Sequence, residues 1–229
     1  MKLQDNKLIA IGGLKNSGKD EVSKMLQYCL SVPKVLRQYW CYKYFRNYIN
    51  YKYKIVSFAD RLKDCLSGLT GIERKNFDKR AFKETWCIMF NPLTLTNSAV
   101  PISDNKFNKM LANKDFSFFK TSFITIRQLL QAFGTNIARD IFGDKLWIES
   151  TLNNIYYNVI VSDMRFKVEY KEIKKRKGIT IYINRPSAVP GNHASEQEVY
   201  MLYKSNMFDY IIDNSGTLKD LFNKIKYLC

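Results

Sequence analysis

The stretch Gly13-Leu14-Lys15-Asn16-Ser17-Gly18-Lys19-Asp20 decides how the chain is read. Two glycines with four intervening residues are followed by lysine, the pattern G-x-x-x-x-G-K, with Asp20 where serine or threonine usually stands. Glycines let successive backbone N–H groups turn inward and surround an anion. A helix that begins at the second glycine adds the positive end of its dipole. Lys19 then reaches the outer phosphates of a nucleotide. Asp20 puts a hard oxygen in place of the hydroxyl and is a candidate ligand for Mg²⁺, directly or through water. The competing reading is a glycine turn ahead of a helix with an acidic first turn, and it leaves the Gly-Lys pair unexplained.

The flanks supply the context that such a loop requires. Residues 7–13 read as a short buried strand. From Gly18 to about Leu30 the spacing of Val22, Met25, Leu26 and Cys29 predicts a helix, which Pro33 stops. Further along, strands are predicted at 54–58, 157–162, 179–184 and 208–212. Helices are predicted at 59–68, 73–89, 125–142, 145–156, 166–177 and 217–228. Strands alternating with helices imply an α/β fold with a parallel sheet and βαβ crossovers. No repeat, heptad array or linker divides the chain, so residues 1–229 are expected to form a single domain.

Two segments stand out. Residues 34–52 are basic and aromatic: Tyr39, Trp40, Tyr42, Tyr44, Phe45, Tyr48 and Tyr51 are interleaved with lysine and arginine. The favoured expectation is a helical insertion whose aromatics pack on the domain; the other is a surface that stacks on single-stranded nucleic acid. Residues 91–123 are rich in Asn, Ser, Pro and Lys without clear periodicity, which predicts a long loop or small subdomain near the site.

Composition sets further bounds. The 229 residues are 46% apolar and 14% aromatic, enough for a buried core. No apolar run approaches the roughly 18 residues that cross a bilayer, so no membrane association is expected and the location is expected to be cytoplasmic. The cysteines Cys29, Cys41, Cys65, Cys87 and Cys229 are odd in number and scattered, which suits a reducing compartment and neither a disulfide framework nor a zinc site. The net charge of +16 fits affinity for nucleotides or nucleic acid, but the favoured reading is the drift toward Lys, Asn, Ile and Tyr that AT-rich codons produce.

Several segments together resemble the phage and viral deoxynucleoside monophosphate kinase family. In order they are residues 13–20, Ser-Phe-Ala-Asp-Arg-Leu-Lys-Asp at 57–64, Thr-Gly-Ile at 70–72 and Lys83-Glu84. Then come Ile-Arg-Gln-Leu-Leu-Gln-Ala-Phe-Gly-Thr at 126–135, Trp147, and Ser-Asp-Met-Arg-Phe at 162–166 with Glu169. Asn-Arg-Pro at 184–186, His-Ala-Ser-Glu at 193–196 and Asn-Ser-Gly-Thr-Leu at 214–218 complete the set. The resemblance covers most of the chain apart from 34–52 and 91–123. It implies a P-loop kinase fold, a five-stranded parallel sheet flanked by helices, with insertions forming acceptor-binding and lid regions. It implies transfer of the ATP γ-phosphoryl group to a deoxynucleoside monophosphate, with Mg²⁺, in the host cytoplasm if the source is viral. It also suggests a homodimer. Two departures bear on the site: Glu21 stands where relatives often carry Thr, and Asn16 where some carry Arg.

Phosphoryl transfer needs positioning and charge neutralisation more than a covalent nucleophile. The candidate nucleotide-binding residues are Gly13, Lys15, Asn16, Ser17, Gly18, Lys19, Asp20 and Glu21. Lys19, Asp163 and Arg185 are the catalytic candidates: Asp163 at the carboxyl end of a buried strand, where open α/β sheets bind ligands, and Arg185 beside a loop suited to a lid. Asp163 also reads as a helix cap. Arg127 is placed to grip a monophosphate, with Gln131 one turn on to meet a base edge. Arg139 is either a further contact or a salt bridge. Arg165, Lys15 and Lys83 are candidates for the acceptor phosphate, Lys83 reading by default as a solvated lysine. Trp147 either stacks on the base or belongs to the core. Glu169 and Ser195 join the acceptor site through the resemblance. His193, the sole histidine, reads as loop surface. Rival functions are a dephospho-coenzyme A kinase-like enzyme, a nucleic-acid-binding P-loop ATPase and an inactive scaffold.

Overall fold

A computed structural model describes residues 3, 7–85, 87–88, 124–153 and 157–229. The segment expected to be a long loop, 91–123, lies outside them. The described residues fall into two compact units, Met1–Arg61 with Phe142–Cys229, and Leu62–Ile141.

The first unit is built on a five-stranded parallel sheet. Its strands are β1 (Leu8–Gly13), β2 (Tyr53–Val56), β5 (Asn158–Met164), β6 (Ile179–Asn184) and β7 (Tyr210–Asp213), in the order β2-β5-β1-β6-β7. The central strands are largely apolar, with Val159, Ile160 and Val161 in β5 and Ile179, Ile181 and Ile183 in β6, as suits strands buried on both faces. Side chains alternate across them. Ile9, Ile11, Ile181 and Ile183 join Val22, Met25, Leu26 and Cys29 of α1 (Lys19–Ser31) and Leu221, Phe222 and Ile225 of α10 (Leu218–Leu228) in one core. Tyr182 points the other way, stacking on Tyr203 with ring centroids 4.3 Å apart and touching Phe208. That face is covered by α8 (Lys167–Lys175) and α9 (Ala194–Lys204). Between β5 and the second unit lies α7 (Leu146–Leu152) in the sequence. Burying each such isoleucine contributes about 1.5–3 kcal/mol. The predicted strand-helix alternation and parallel sheet are what the chain forms.

The insertion at 34–52 packs only in part. Its helix α2 (Tyr39–Phe45) lies between 3-10 turns at Lys34–Leu36 and Arg46–Tyr48. Cys41 and Tyr42 are buried, whereas Trp40, Tyr44, Phe45 and Tyr48 are exposed. A two-turn helix has one inward face, so three of its five aromatics have no core to enter.

In the second unit the structure departs from the periodicity at two places. The predicted helix 73–89 is instead a 3-10 turn (Arg74–Asp78), a short α4 (Arg80–Thr85) and β3 (Cys87–Ile88), which pairs antiparallel with β4 (Ile124–Thr125). Asn76 and Asp78 are poor interior helix residues, and Lys79 adopts an extended conformation that breaks the helix. Met89 lies outside the described residues. The predicted helix 125–142 starts at a capping box in which Gln128 N–H donates to the Thr125 hydroxyl. It then runs as α5 (Ile126–Gln131), a π-helical stretch at Ala132–Ile137 and α6 (Ala138–Phe142). Helix α3 (Phe58–Thr70) agrees with the expectation to within two residues. Among the described residues no helix is long and apolar enough to cross a membrane.

Candidate functional site

Because the sheet is parallel, the residues that follow its strands collect along one edge. Gly13 ends β1 opposite Ile183, Met164 of β5 pairs with Gly12, and Asn184 pairs with Asp213. The glycine loop, Ser57, Asp163, Arg165, Arg185 and Asn214 therefore sit at or just beyond carboxyl strand ends. Register alone brings residues from five parts of the sequence to one edge.

The loop needs its glycines. Gly18 has φ +96°, and a Cβ there would stand 2.6 Å from Asn214 Nδ2. Gly13 has φ +151°, and a Cβ would stand 2.6 Å from Ser17 Oγ. Asn16 supplies a further left-handed residue at φ +66°, a conformation that asparagine tolerates better than most. Asn214 donates from Nδ2 to the Ser17 carbonyl over 2.8 Å, and its own N–H donates to the Asn184 carbonyl over 2.7 Å. It braces the loop against the strand edge. Gly18 opens α1 without a side-chain cap, and the buried Ser17 hydroxyl has no hydrogen-bond partner.

Lys19 is 7% exposed and curls back so that Nζ donates to the Gly13 carbonyl (2.8 Å) and the Leu14 carbonyl (2.6 Å). Burial pushes its pKa down to about 7. Arg165 adds to the depression, and Asp20 and Asp163 oppose it, so one further cation and two carboxylates lie close to this ammonium.

Asp163 receives the start of α3. Its carboxylate accepts from Ser57 Oγ (2.5 Å), Phe58 N–H (2.8 Å) and Ala59 N–H (3.0 Å). The alternative reading as a helix cap is thus realised, on α3 rather than on α8. Arg165 forms an ion pair with Glu196, whose other oxygen accepts from Lys15 N–H at 2.8 Å. Glu169 is buried, and its carboxylate accepts from the N–H groups of Arg165 (2.7 Å) and Phe166 (3.0 Å), fixing the turn that carries Arg165. Ser195 is buried at the start of α9 beside His193, whose Nδ1 accepts from Ser195 N–H at 3.2 Å. His193 is therefore a helix cap. Arg185 is exposed, with Nε 3.3 Å from Ser187 Oγ.

Other candidates fall elsewhere. Glu21 accepts from Tyr42 OH at 2.7 Å and lies 3.6 Å from Arg46, so its carboxylate faces the α2 insertion. Trp147 is 6% exposed and belongs to the core of the first unit. Arg127, Gln131 and Lys83 lie in the second unit. Arg127 and Gln131 keep their one-turn spacing on α5, and the Arg127 guanidinium is held by Glu84, with Nη2 at 2.6 Å and Nε at 2.8 Å. Arg139, also in that unit, is buried.

Sequence reading gave no role to Glu196, Asn214 or Ser57. Each stands inside a quoted segment, but a carboxylate that ties two loops together has no spacing signature of its own.

A mimivirus protein of Acanthamoeba polyphaga mimivirus, provisionally named a deoxynucleotide monophosphate kinase, is 28% identical over 117 residues, which is 44% of this chain. The match spans 59% of the length of that relative. The profile of the deoxynucleotide monophosphate kinase family matches residues 7–225, from the strand before the glycine loop to the closing helix. With its phosphate-loop geometry on a parallel sheet, the chain belongs to the deoxynucleotide monophosphate kinase family.

Proposed function

We propose that the chain transfers the γ-phosphoryl group of ATP to a deoxynucleoside monophosphate, giving the diphosphate and ADP. The observation that carries this reading is the uncapped start of α1, with a buried lysine behind it and Asp163 and Arg165 close by. Family membership supports it.

The backbone N–H groups of residues 13–19 bind the phosphates of ATP, helped by the dipole of α1. Lys19 exchanges its carbonyl partners for phosphate oxygens. Nearby phosphate also returns its pKa upward, so that it works as an ammonium. An oxygen of the acceptor monophosphate attacks the γ-phosphorus as the bond to the β,γ-bridging oxygen breaks, and ADP leaves with that electron pair. Arg165 holds the acceptor phosphate once its pair with Glu196 opens. Arg185, on an exposed loop, meets charge on the group in transfer. Lys15 contributes an acceptor contact from the loop, and Lys83, Arg127 and Gln131 are proposed as acceptor-binding residues.

Asp20 would hold Mg²⁺, and Asp163 would help to orient it. Among the described residues no group of three or more His, Cys, Asp or Glu forms a metal cage. That suits Mg²⁺, which usually takes one or two carboxylates and completes its shell with phosphate and water. When bound, it neutralises charge on the β- and γ-oxygens.

A coupled ADP-release assay over the four deoxynucleoside monophosphates tests the reading. Turnover is expected with at least one, and Lys19→Ala is expected to lose about 10²–10³-fold. Absence of turnover with all four overturns it.

A further inference from the structure

The phosphate site leaves unused a strongly basic stretch of the first unit. Between Glu21 and Asp60 the chain has no acidic residue and seven lysines or arginines. Within this stretch α2 is fixed by its inner face. Tyr42 packs edge-on to Tyr28, with centroids 5.4 Å apart, and lies 5.4 Å from Phe222; its hydroxyl donates to Glu21 at 2.7 Å. Arg46 donates to the same hydroxyl at 3.1 Å. The outer face is thereby held rigid and bare. Trp40 is 54% exposed, Tyr44 64%, Phe45 49% and Tyr48 84%. Trp40 and Tyr44, one helical turn apart, are surface neighbours. Lys43 lies 5.6 Å from the Tyr44 ring centroid, and Lys34 and Lys52 are exposed before and after the helix in sequence.

We infer that this face of α2 docks single-stranded nucleic acid, as a function separate from phosphoryl transfer. Exposed rings give bases a surface for stacking, and exposed lysines answer the phosphates between them. A second copy of the chain fits worse, because the exposed Lys34, Lys43 and Lys52 of one copy would meet the same lysines of the other. A lipid surface fits worse too, because a seven-residue helix is too short to lie in a membrane interface as amphipathic anchors do. Duplex DNA offers the phosphates but keeps its bases stacked away from the rings.

The test is fluorescence anisotropy of the full chain with labelled dT20, and with a duplex of equal length, across a salt series. The single strand is expected to bind more tightly. Tyr44→Ala with Tyr48→Ala is expected to weaken it about fivefold or more, with ADP release unchanged. Lys43→Gln is expected to flatten the slope of log K against log salt by about 0.7. Should the double variant lose its fold, quenching of Trp40 fluorescence by dT20, absent in Trp40→Phe, reports the same contact. Equal affinity for duplex and single strand, unchanged affinity in the aromatic variant, or no quenching overturns the inference. So does binding to phosphatidylserine vesicles in place of dT20, or loss only of self-association on gel filtration.

Discussion

Helices α1 and α3 both begin just beyond a strand at the carboxyl edge of the sheet, yet their first turns are finished in opposite ways. At α3 the chain supplies the anion itself. Asp163 accepts from Phe58 and Ala59 N–H, the Ser57 hydroxyl accepts from Ala59 N–H at 3.1 Å, and Asp60 accepts from Ser57 N–H at 3.1 Å. At α1 the cap position is glycine, and no side chain closes the turn. Every helix start leaves N–H donors that need an acceptor. A start whose own side chains fill that need is a structural joint. One whose cap is withdrawn keeps its donors for an anion from outside.

The sharpest way to break this contrast is Gly18→Ser, which gives α1 the kind of cap that α3 has. The new Cβ meets Asn214 at a backbone angle that side chains rarely adopt, so a stability loss of about 1–3 kcal/mol is expected. ATP turnover per folded molecule is expected to fall about 100-fold or more. Retained turnover would mean that the bare terminus is not what the site needs.

Asp163→Asn probes the other terminus. The amide keeps one acceptor but turns a second toward N–H groups as a donor, and a stability loss of about 1–2 kcal/mol is expected in chemical denaturation. On the proposed mechanism kcat falls as well. A variant that is less stable yet turns over normally would reduce Asp163 to a cap.

A third measurement concerns the cation behind α1. The unfolded chain holds the Lys19 proton up to about 10.5, whereas the nucleotide-free folded chain releases it near 7. Between those values the unfolded state carries more protons, so stability rises with pH; below about 7 the cost of the buried charge is fully present. Thermal melts from pH 7 to 9.5 are expected to show this rise, and Lys19→Met to lack it. A curve identical in both proteins would place the ammonium in a less costly setting.

The smallest effect is expected at a terminus with no ligand. Thr217 caps α10, accepting from Asp220 N–H at 3.2 Å. Thr217→Ala is expected to cost about 1 kcal/mol, read from the melting temperature, and to leave turnover unchanged.

How much of this was legible before the coordinates depended on whether a feature is local. The glycine loop, its flanking strand and helix, and the buried runs of β5 and β6 are written in contiguous residues, and their positions followed from spacing and β-branching. The break at Lys79 was not, because pairing of Cys87 and Ile88 with residues 124 and 125 overrides helical periodicity there. Nor was the π-helical stretch after Gln131, since six residues of altered winding leave hydrophobic spacing almost unchanged. Glu21 shows the same limit at the site. It stands next to the loop in sequence, but α2 claims its carboxylate from 21 positions away.

The central position of β1 has a consequence for how this protein is made. Its neighbours β5 and β6 lie about 150 and 170 residues downstream, and Asn214, the brace of the glycine loop, is 197 residues beyond Ser17. A ribosome therefore finishes the nucleotide-gripping segment long before it delivers the parts that hold it in shape. Such late, distant pairings slow folding and leave an early strand exposed to wrong partners. On the proposed function, ATP is expected to have no grip on the nascent chain until residue 214 has emerged, so the nucleotide would favour finished molecules over growing ones.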